Sequence, residues 1–516
     1  MKYFGINLGH DASIVGIEES GDIFFYAQAE RYGYREKGYG GDLKPIIKEF
    51  KNLKINKNDI IFICPCFLRD IPKENKSYPI KDYDDCIIRR CEKKYANSKL
   101  EIETLAPKFL IDHHLSHAIS SWCFRENNKE KLFICYDGCG PWADEMRPYK
   151  SSLVGSIRED GFSIFYNHEK IPSSMPINHL LGARSAGKLM GLAGYLPESK
   201  EPLNQNDFIK WLDLTCESNF VFHRVFPTKK ETNKNDLVFF SKIYTHYMNF
   251  IWEKIKINID KFSKDKEILI GGGTALALDI NTKIFNYCKN LTFGPPADDS
   301  GLALGAAAFA YFYVNKKWPK LISNSSLNCL NKEINQKGPQ EPKEIANLIH
   351  KGKILGLIRE KSEAGPRALG FRSIFASAVD ECNLQIVSQQ IKEREFYRPL
   401  APIVTEESFD DYFIGPKGKY MQFKCSCNEN SIKSLPAIVH KDLSARPQVV
   451  YKENDPWLYE LLKEYGKLSG HECFINTSLN KKNKPICNNV EDAIYDFNNK
   501  NIDIISIKSK NFKFFI

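Results

Sequence analysis

No apolar run in this 516-residue sequence reaches the roughly 20 residues that a membrane-spanning helix requires. The opening Met1-Lys2-Tyr3-Phe4-Gly5 lacks the layout of a secretory signal. Both absences predict a cytoplasmic protein with no membrane partner. Paired C-x-x-C spacings are missing too: Cys64/Cys66 and Cys425/Cys427 are C-x-C, which argues against a structural zinc module. The 15 cysteines are odd in number and scattered, several inside strand-like runs, a pattern that fits reduced thiols. There is no long basic block, and a net charge of +9 is modest for the length, so no nucleic-acid partner is predicted and anionic ligands are mildly favoured. What is present is ordinary globular composition, 42% hydrophobic and 27% charged, over a length that predicts two or three domains.

The most informative stretch is Asp112-His113-His114-Leu115-Ser116-His117, between the apolar run Phe109-Leu110-Ile111 and a helical pattern through Trp122. If the helix includes the histidines, His113 and His117 stand at i and i+4 on one face, close enough for two imidazoles to share a metal. His114 then points elsewhere. With no Glu between the two, the spacing is not the metalloprotease motif. A helix that merely buries its histidines would give the same pattern.

Tyr3–Leu8 reads as a strand, followed by a hairpin from Ile14–Glu18 to Ile23–Gln28 across Ser20-Gly21-Asp22. The arrangement recurs: Leu132–Tyr136 enters Asp137-Gly138-Cys139-Gly140, and Leu153–Ile157 pairs with Phe162–Tyr166 across Glu159-Asp160-Gly161. This repetition predicts a duplicated β-unit of the actin/sugar-kinase kind; two unrelated hairpins in a mixed sheet are the alternative. Glu267–Ile270 then runs into Gly271-Gly272-Gly273-Thr274, a strand, glycine turn and helix start suited to a phosphate or an adenosine edge, although it is neither Walker A nor G-x-G-x-x-G. After Asp298-Asp299-Ser300-Gly301, the Ala-rich helix Leu302–Val314 suggests close packing on a sheet.

Residues 324–342 read as a domain linker. Beyond it a strand, Ile354–Ile358, delivers Glu363 to Ser373, a helix is expected to follow with Lys392 to Glu395 near its end, and Arg398, Ser444-Ala445-Arg446 and Phe474 to Asn480 come later. Arginines and lysines in turns beside Gly, Pro and Ser are suited to a phosphate-bearing anion, so Arg367, Lys392, Arg398 and Arg446 are expected to share a pocket. Each alone would pass for a solvated surface residue.

Together, Gly5-Ile6-Asn7…His10-Asp11-Ala12-Ser13, Asp112 to Ala118, Gly187-Lys188-Leu189-Met190-Gly191-Leu192-Ala193, Gly271 to Gly273, Asp298 to Gly301 and Gly365 to Gly370 resemble the O-carbamoyltransferases, which act on nodulation signals, aminoglycosides and cephem antibiotics. The resemblance implies an α/β fold: a duplicated actin-like domain over 1–335, similar to the threonylcarbamoyl-tRNA enzyme, then an α+β YrdC-like domain over 345–516. It further implies that carbamoyl phosphate and ATP (with Mg²⁺) give carbamoyl-adenylate, and that the carbamoyl group passes to a hydroxyl of a small-molecule sugar, glycoside or natural product. Arg367, Lys392, Arg398, Arg446, Asn476 and Ser478 would hold carbamoyl phosphate. Lys188, Gly191, Gly271, Gly272 and Gly273 would face the nucleotide. His113, His117, Asp137 and Asp299 would bind a divalent metal, Fe²⁺ by resemblance, with Mn²⁺ and Zn²⁺ as well suited to two His and two carboxylates on chemistry alone. His10 and His114 would orient or deprotonate the acceptor. The family's Arg-x-Lys-His-Asp stretch is replaced by Tyr34-Arg35-Glu36-Lys37-Gly38, where Lys37 is the best match for its lysine. That stretch and residues 200–237 are expected to face the acceptor.

Three other readings remain: a threonylcarbamoyl-type tRNA-modifying enzyme, which would need a basic RNA face; an actin-like small-molecule kinase, which would release ADP and need no His-x-x-x-His; and a catalytically dead sensor.

Overall fold

The computed structural model describes residues 1–8, 11–33, 44–65, 78–79, 88–91, 106–140, 150–167, 186–196, 200–201, 234–262, 266–329 and 337–507. Of the sequence expectations, His10, Lys37 and nearly all of the segment 200–237 up to its last residues fall outside these.

Two sheets carry the first part of the chain. The first contains β1 (Tyr3–Leu8), β2 (Ser13–Ile17), β3 (Ile23–Gln28), β4 (Ile60–Pro65), β5 (Tyr78–Pro79), β6 (Ile88–Cys91) and β7 (Lys108–Ile111), in the order β3-β2-β1-β4-β7-β6-β5. The second contains β8 (Lys131–Gly140), β9 (Lys150–Arg158), β10 (Gly161–Asn167), β11 (Glu267–Gly271) and β12 (Thr292–Phe293), in the order β10-β9-β8-β11-β12. In each, a first strand leads into an antiparallel meander (β1-β2-β3; β8-β9-β10) and pairs on its other side with a later parallel strand (β4; β11). The duplicated actin/sugar-kinase-like class is therefore present in the topology itself. β1 and the Ile60–Cys64 run are buried on both faces, as strands between two layers must be.

Two helices fill the space between the sheets. α3 (His113–Trp122) lies on β8 and β11, and the small-residue helix α7 (Leu302–Asn315) lies on β1, β2 and β4, with α3 and α7 packed on each other. The core joins Phe62 and Phe109 of one sheet to Phe133 and Leu269 of the other through Leu115, Ile119, Trp122 and Phe309. Gly305 permits the helix contact: a Cβ there would lie 1.9 Å from the Ser116 carbonyl oxygen. This part of the chain also carries helices α1 (Ala29–Tyr32), α4 (Ala186–Tyr195), α5 (Lys234–Phe262) and α6 (Leu278–Cys288), while α2 (Lys44–Asn52) covers the outer face of the first sheet.

The remaining chain is α+β. A six-stranded mixed sheet runs in the order Gln448–Val450, Ala401–Thr405, Cys473–Ser478, Arg372–Ala376, Leu355–Arg359, Asp503–Ile507. The helices Pro342–His350 and Pro456–Ser469 pack together and on one face through Ile345, Ile349, Leu458 and Leu462. Three expectations are corrected. The expected linker is partly a strand, Ser326–Asn328, paired with Ser362–Glu363. The segment after Phe371 is first the sheet strand Arg372–Ala376, all five residues buried between neighbours on both sides; the expected helix follows as Cys382–Gln385 and Ile386–Ile391, with Lys392 capping its end. After Gly271 a 3₁₀ turn (Gly273–Leu276) intervenes and α6 starts only at Leu278. No described helix is long and apolar enough to cross a membrane.

Candidate functional site

The Asp112 carboxylate caps α3 by accepting the Leu115 amide at 3.0 Å, which starts the helix at His113. His113 and His117 therefore face the same way, one turn apart. Asp137, near the end of β8, puts Oδ2 2.8 Å from His113 Nε2 and 3.2 Å from His117 Nε2. Asp299, in the turn before α7, puts Oδ1 3.6 Å and 3.3 Å from the same two atoms. All four donor atoms lie within 4.8 Å of one another. Burial would lower the His117 pKa, but the two carboxylates outweigh it and raise it to about 9. Burial likewise opposes the charge on Asp137, yet the two imidazoles hold it well below the usual carboxylate range. Two ring nitrogens aimed at each other with two carboxylates converging between them suit a divalent first-row cation, and they do not by themselves select Fe²⁺, Mn²⁺ or Zn²⁺.

The surroundings lock this geometry. The backbone carbonyl of Asp299 accepts Asn7 Nδ2 at 2.8 Å, and that of Ser300 accepts Ser13 Oγ at 3.1 Å and the Tyr26 hydroxyl at 3.0 Å. Sequence reasoning did not single these three out as supports; the signal was a polar side chain within an apolar strand. Gly272 takes φ +82°, and a Cβ there would lie 2.5 Å from the Tyr136 carbonyl oxygen, while the Gly273 amide donates to Asp137 Oδ1 at 3.0 Å. The glycines expected to face a nucleotide are thus placed against the His/Asp cluster, and one of their amides is engaged by Asp137. His114 is closed inside the protein, 1% exposed, with Nδ1 4.0 Å from Asp112 Oδ1.

A second constellation lines an open cleft. Arg367 comes from the Gly365–Gly370 loop, Arg394 and Arg398 follow the π-helical segment Ile386–Ile391, Arg446 follows Ser444–Ala445, and Asn476 and Ser478 end a sheet strand. Lys188 reaches the same cleft from α4. An adjoining hollow shares the four arginines and adds Gly191, Lys424, His440 and Asp442. Five of the six expected carbamoyl-phosphate residues are brought together. Lys392 stands behind the lining: its buried ammonium contacts the Ser478 carbonyl, Ser478 Oγ (3.3 Å) and Asn480 Oδ1 (2.8 Å). Arg394, which donates to Ser478 Oγ at 3.2 Å, was missed as a site residue because Lys392-Glu393-Arg394-Glu395 reads as a solvated charge run.

The cleft is electrostatically strained. Burial and then the neighbouring guanidiniums depress Arg394 and Arg446 well below the ordinary arginine pKa, and Arg367 falls to about 10. Neither Arg367 nor Arg446 has a carboxylate within 4 Å among the described residues. Glu395 counters Lys482 at 2.9 Å, Lys188 at 3.8 Å and Arg398 at 4.0 Å. A multiply charged anion would relieve the repulsion that remains.

Residues 346–513 match the family model described as Carbamoyltransferase C-terminus. An uncharacterized protein of Methanocaldococcus jannaschii is 27% identical, over 97% of this chain and 97% of its own length. The nodulation protein NolNO of Sinorhizobium fredii is 26% identical over 77% of this chain and 63% of its own, and nodulation protein U of Azorhizobium caulinodans is 32% identical over 42% and 40%.

Proposed function

We propose, for a chain whose residues 346–513 belong to the carbamoyltransferase C-terminal family, that this carbamoyltransferase works through ATP, forming carbamoyl-adenylate and passing the carbamoyl group to a hydroxyl of a small-molecule acceptor. The observation that carries the reading is the cleft where Arg367, Arg394, Arg398 and Arg446 converge beside Asn476 and Ser478; among the described residues, neither Arg367 nor Arg446 has a carboxylate within 4 Å. Guanidiniums grip phosphate oxygens bidentately, while the amide and hydroxyl suit the carbamoyl end. Atom balance requires carbamoyl phosphate to release inorganic phosphate by hydrolysis. The carbamate oxygen then attacks the α-phosphorus of ATP and pyrophosphate leaves.

In the second step the acceptor oxygen attacks the carbamoyl carbon, gives up its proton, and AMP departs. His10 is proposed to take that proton, with Lys37 in the same catalytic set and the buried His114 in an orienting role. His113, His117, Asp137 and Asp299 would hold a divalent cation, which when bound supplies Lewis-acid polarisation of a phosphate or carbonyl oxygen. Asn7, Ser13 and Tyr26 hold the Asp299 segment still during this chemistry.

Exchange of labelled pyrophosphate into ATP, dependent on carbamoyl phosphate, tests the first step alone. Exchange should be robust in the native protein and lost in Arg446→Ala. Release of ADP in place of AMP and pyrophosphate, or normal exchange in Arg446→Ala, would overturn the reading.

A further inference from the structure

Arg31 is completely buried, as is Glu363, more than 300 residues away in sequence. Arg31 Nη2 donates to the Gly365 carbonyl at 2.8 Å, and Nη1 faces Glu363 Oε2 at 3.7 Å. The other oxygen of Glu363 accepts the amides of Leu369 (2.9 Å) and Arg372 (3.3 Å), which closes residues 363–372 into a ring around Arg367. Gly365 takes φ +92°, and a Cβ there would lie 2.4 Å from the Pro295 carbonyl oxygen. Pro295 and Pro296 lead directly to Asp298 and Asp299. The loop bearing Arg367 is thus clamped between α1 and the segment bearing Asp299.

A guanidinium taken wholly out of water costs several kcal/mol, and one long ion pair with one carbonyl contact does not make it a better stabiliser than an apolar side chain of equal volume. Its geometry is specific where its stability gain is poor. Only a forked side chain reaches both the Gly365 carbonyl and Glu363 from α1; an ammonium is a single point charge.

We infer that Arg31 is a positioning residue that fixes the Gly365–Gly370 loop, and with it Arg367, in register with the Pro295–Pro296 segment that carries Asp299. The inference rests on the proposed grip of Arg367 on phosphate. Arg31 touches no substrate; it sets the distance between the cleft and the His/Asp cluster.

The test uses the full-length, metal-loaded protein and the pyrophosphate exchange reaction. Arg31→Lys should raise the KM for carbamoyl phosphate roughly tenfold or more, the scale on which slight misplacement of a gripping group is felt. The kcat should stay within about threefold and metal content should be unchanged. Glu363→Gln, which keeps shape and volume, should move KM the same way and supplies the answer if Arg31→Lys does not fold. Arg367→Ala serves as reference. If Arg367→Ala loses its carbamoyl-phosphate dependence while Arg31→Lys and Glu363→Gln keep the native KM, the positioning role is wrong and the phosphate reading stands. If Arg367→Ala itself keeps the native KM, the phosphate reading fails first. A fall in kcat or folded fraction at native KM makes Arg31 purely structural and overturns the inference.

Discussion

The Nε2 atoms of His113 and His117 face each other at 3.2 Å, each also within reach of Asp137 and Asp299. A bound cation gives both lone pairs a common target. Native protein reconstituted with Fe²⁺, Mn²⁺ or Zn²⁺ should hold one ion per chain. His117→Ala should weaken that affinity at least as much as the ~10–100-fold lost when a supporting residue is changed. Elemental analysis after gel filtration checks it, and native metal content in the variant would refute it.

Arg446 should show opposite effects on empty and loaded protein. Removing one of four mutually repelling guanidiniums should raise the melting temperature of ligand-free Arg446→Ala by about 2–4 °C, the shift that ~1 kcal/mol gives in a domain of 150–250 residues. The added stabilisation by carbamoyl phosphate or inorganic phosphate should shrink sharply. Differential scanning calorimetry with and without each anion separates the two effects. A lower melting temperature without ligand would mean that Arg446 is held for packing.

Lys392 should matter although it lies behind the cleft wall. Lys392→Met removes the buried ammonium that bridges Ser478 to the carbonyl and Oδ1 of Asn480, a loss of roughly 1–3 kcal/mol in urea unfolding. Because Ser478 loses one of its tethers, the KM for carbamoyl phosphate should rise as well. Native values of both quantities would show the contact to be idle.

The legibility of this chain in its sequence was uneven. The meanders β1–β3 and β8–β10 could be read from apolar runs and glycine turns because their pairing is local, and the face shared by His113 and His117 followed from helical spacing alone. Asp137 and Asp299 came only by resemblance: they meet α3 from 20 and more than 180 residues away, and no local pattern encodes such convergence. The strand Arg372–Ala376 was masked by its opening Arg-Ser, polar residues that tertiary partners satisfy: Arg372 donates to the carbonyls of Arg359, Glu360, Phe371 and Asn488. The glycine triplet was legible as a tight turn, but not its crowding against the protein's own backbone at His117 and Tyr136, which only the fold brings together.

Acid should loosen the contact between α6 and the loop at residues 440–444. Burial opposes the charge of Asp442, but His440 (3.2 Å), Lys424 (2.8 Å) and Ser444 hold its carboxylate well below the usual range. Lys424 also reaches Asp279 of α6 at 3.3 Å. A depressed carboxylate pKa contributes stability that is present above the unfolded value of about 3.9 and is lost as pH falls below it. Asp442→Asn should therefore be less stable than native at pH 7, with the two urea midpoints converging below about pH 4. Midpoints that differ equally at pH 7 and pH 3 would place the effect elsewhere.

The strand Ser326–Asn328 has a practical consequence for anyone cutting this protein into pieces. Cys329 donates its amide to the Tyr26 carbonyl at 2.8 Å, and Asn328 bonds Gln28 on one side and the Glu363 carbonyl on the other. Ala364 returns a bond to the Ser325 carbonyl at 2.7 Å. The stretch is a seam sewn to both flanks. Fragments divided near residue 335 would each display a raw strand edge, the kind of surface that recruits other chains. Made separately they should precipitate or stick; made together they should behave as a split protein, each half templating the edge that the other has lost.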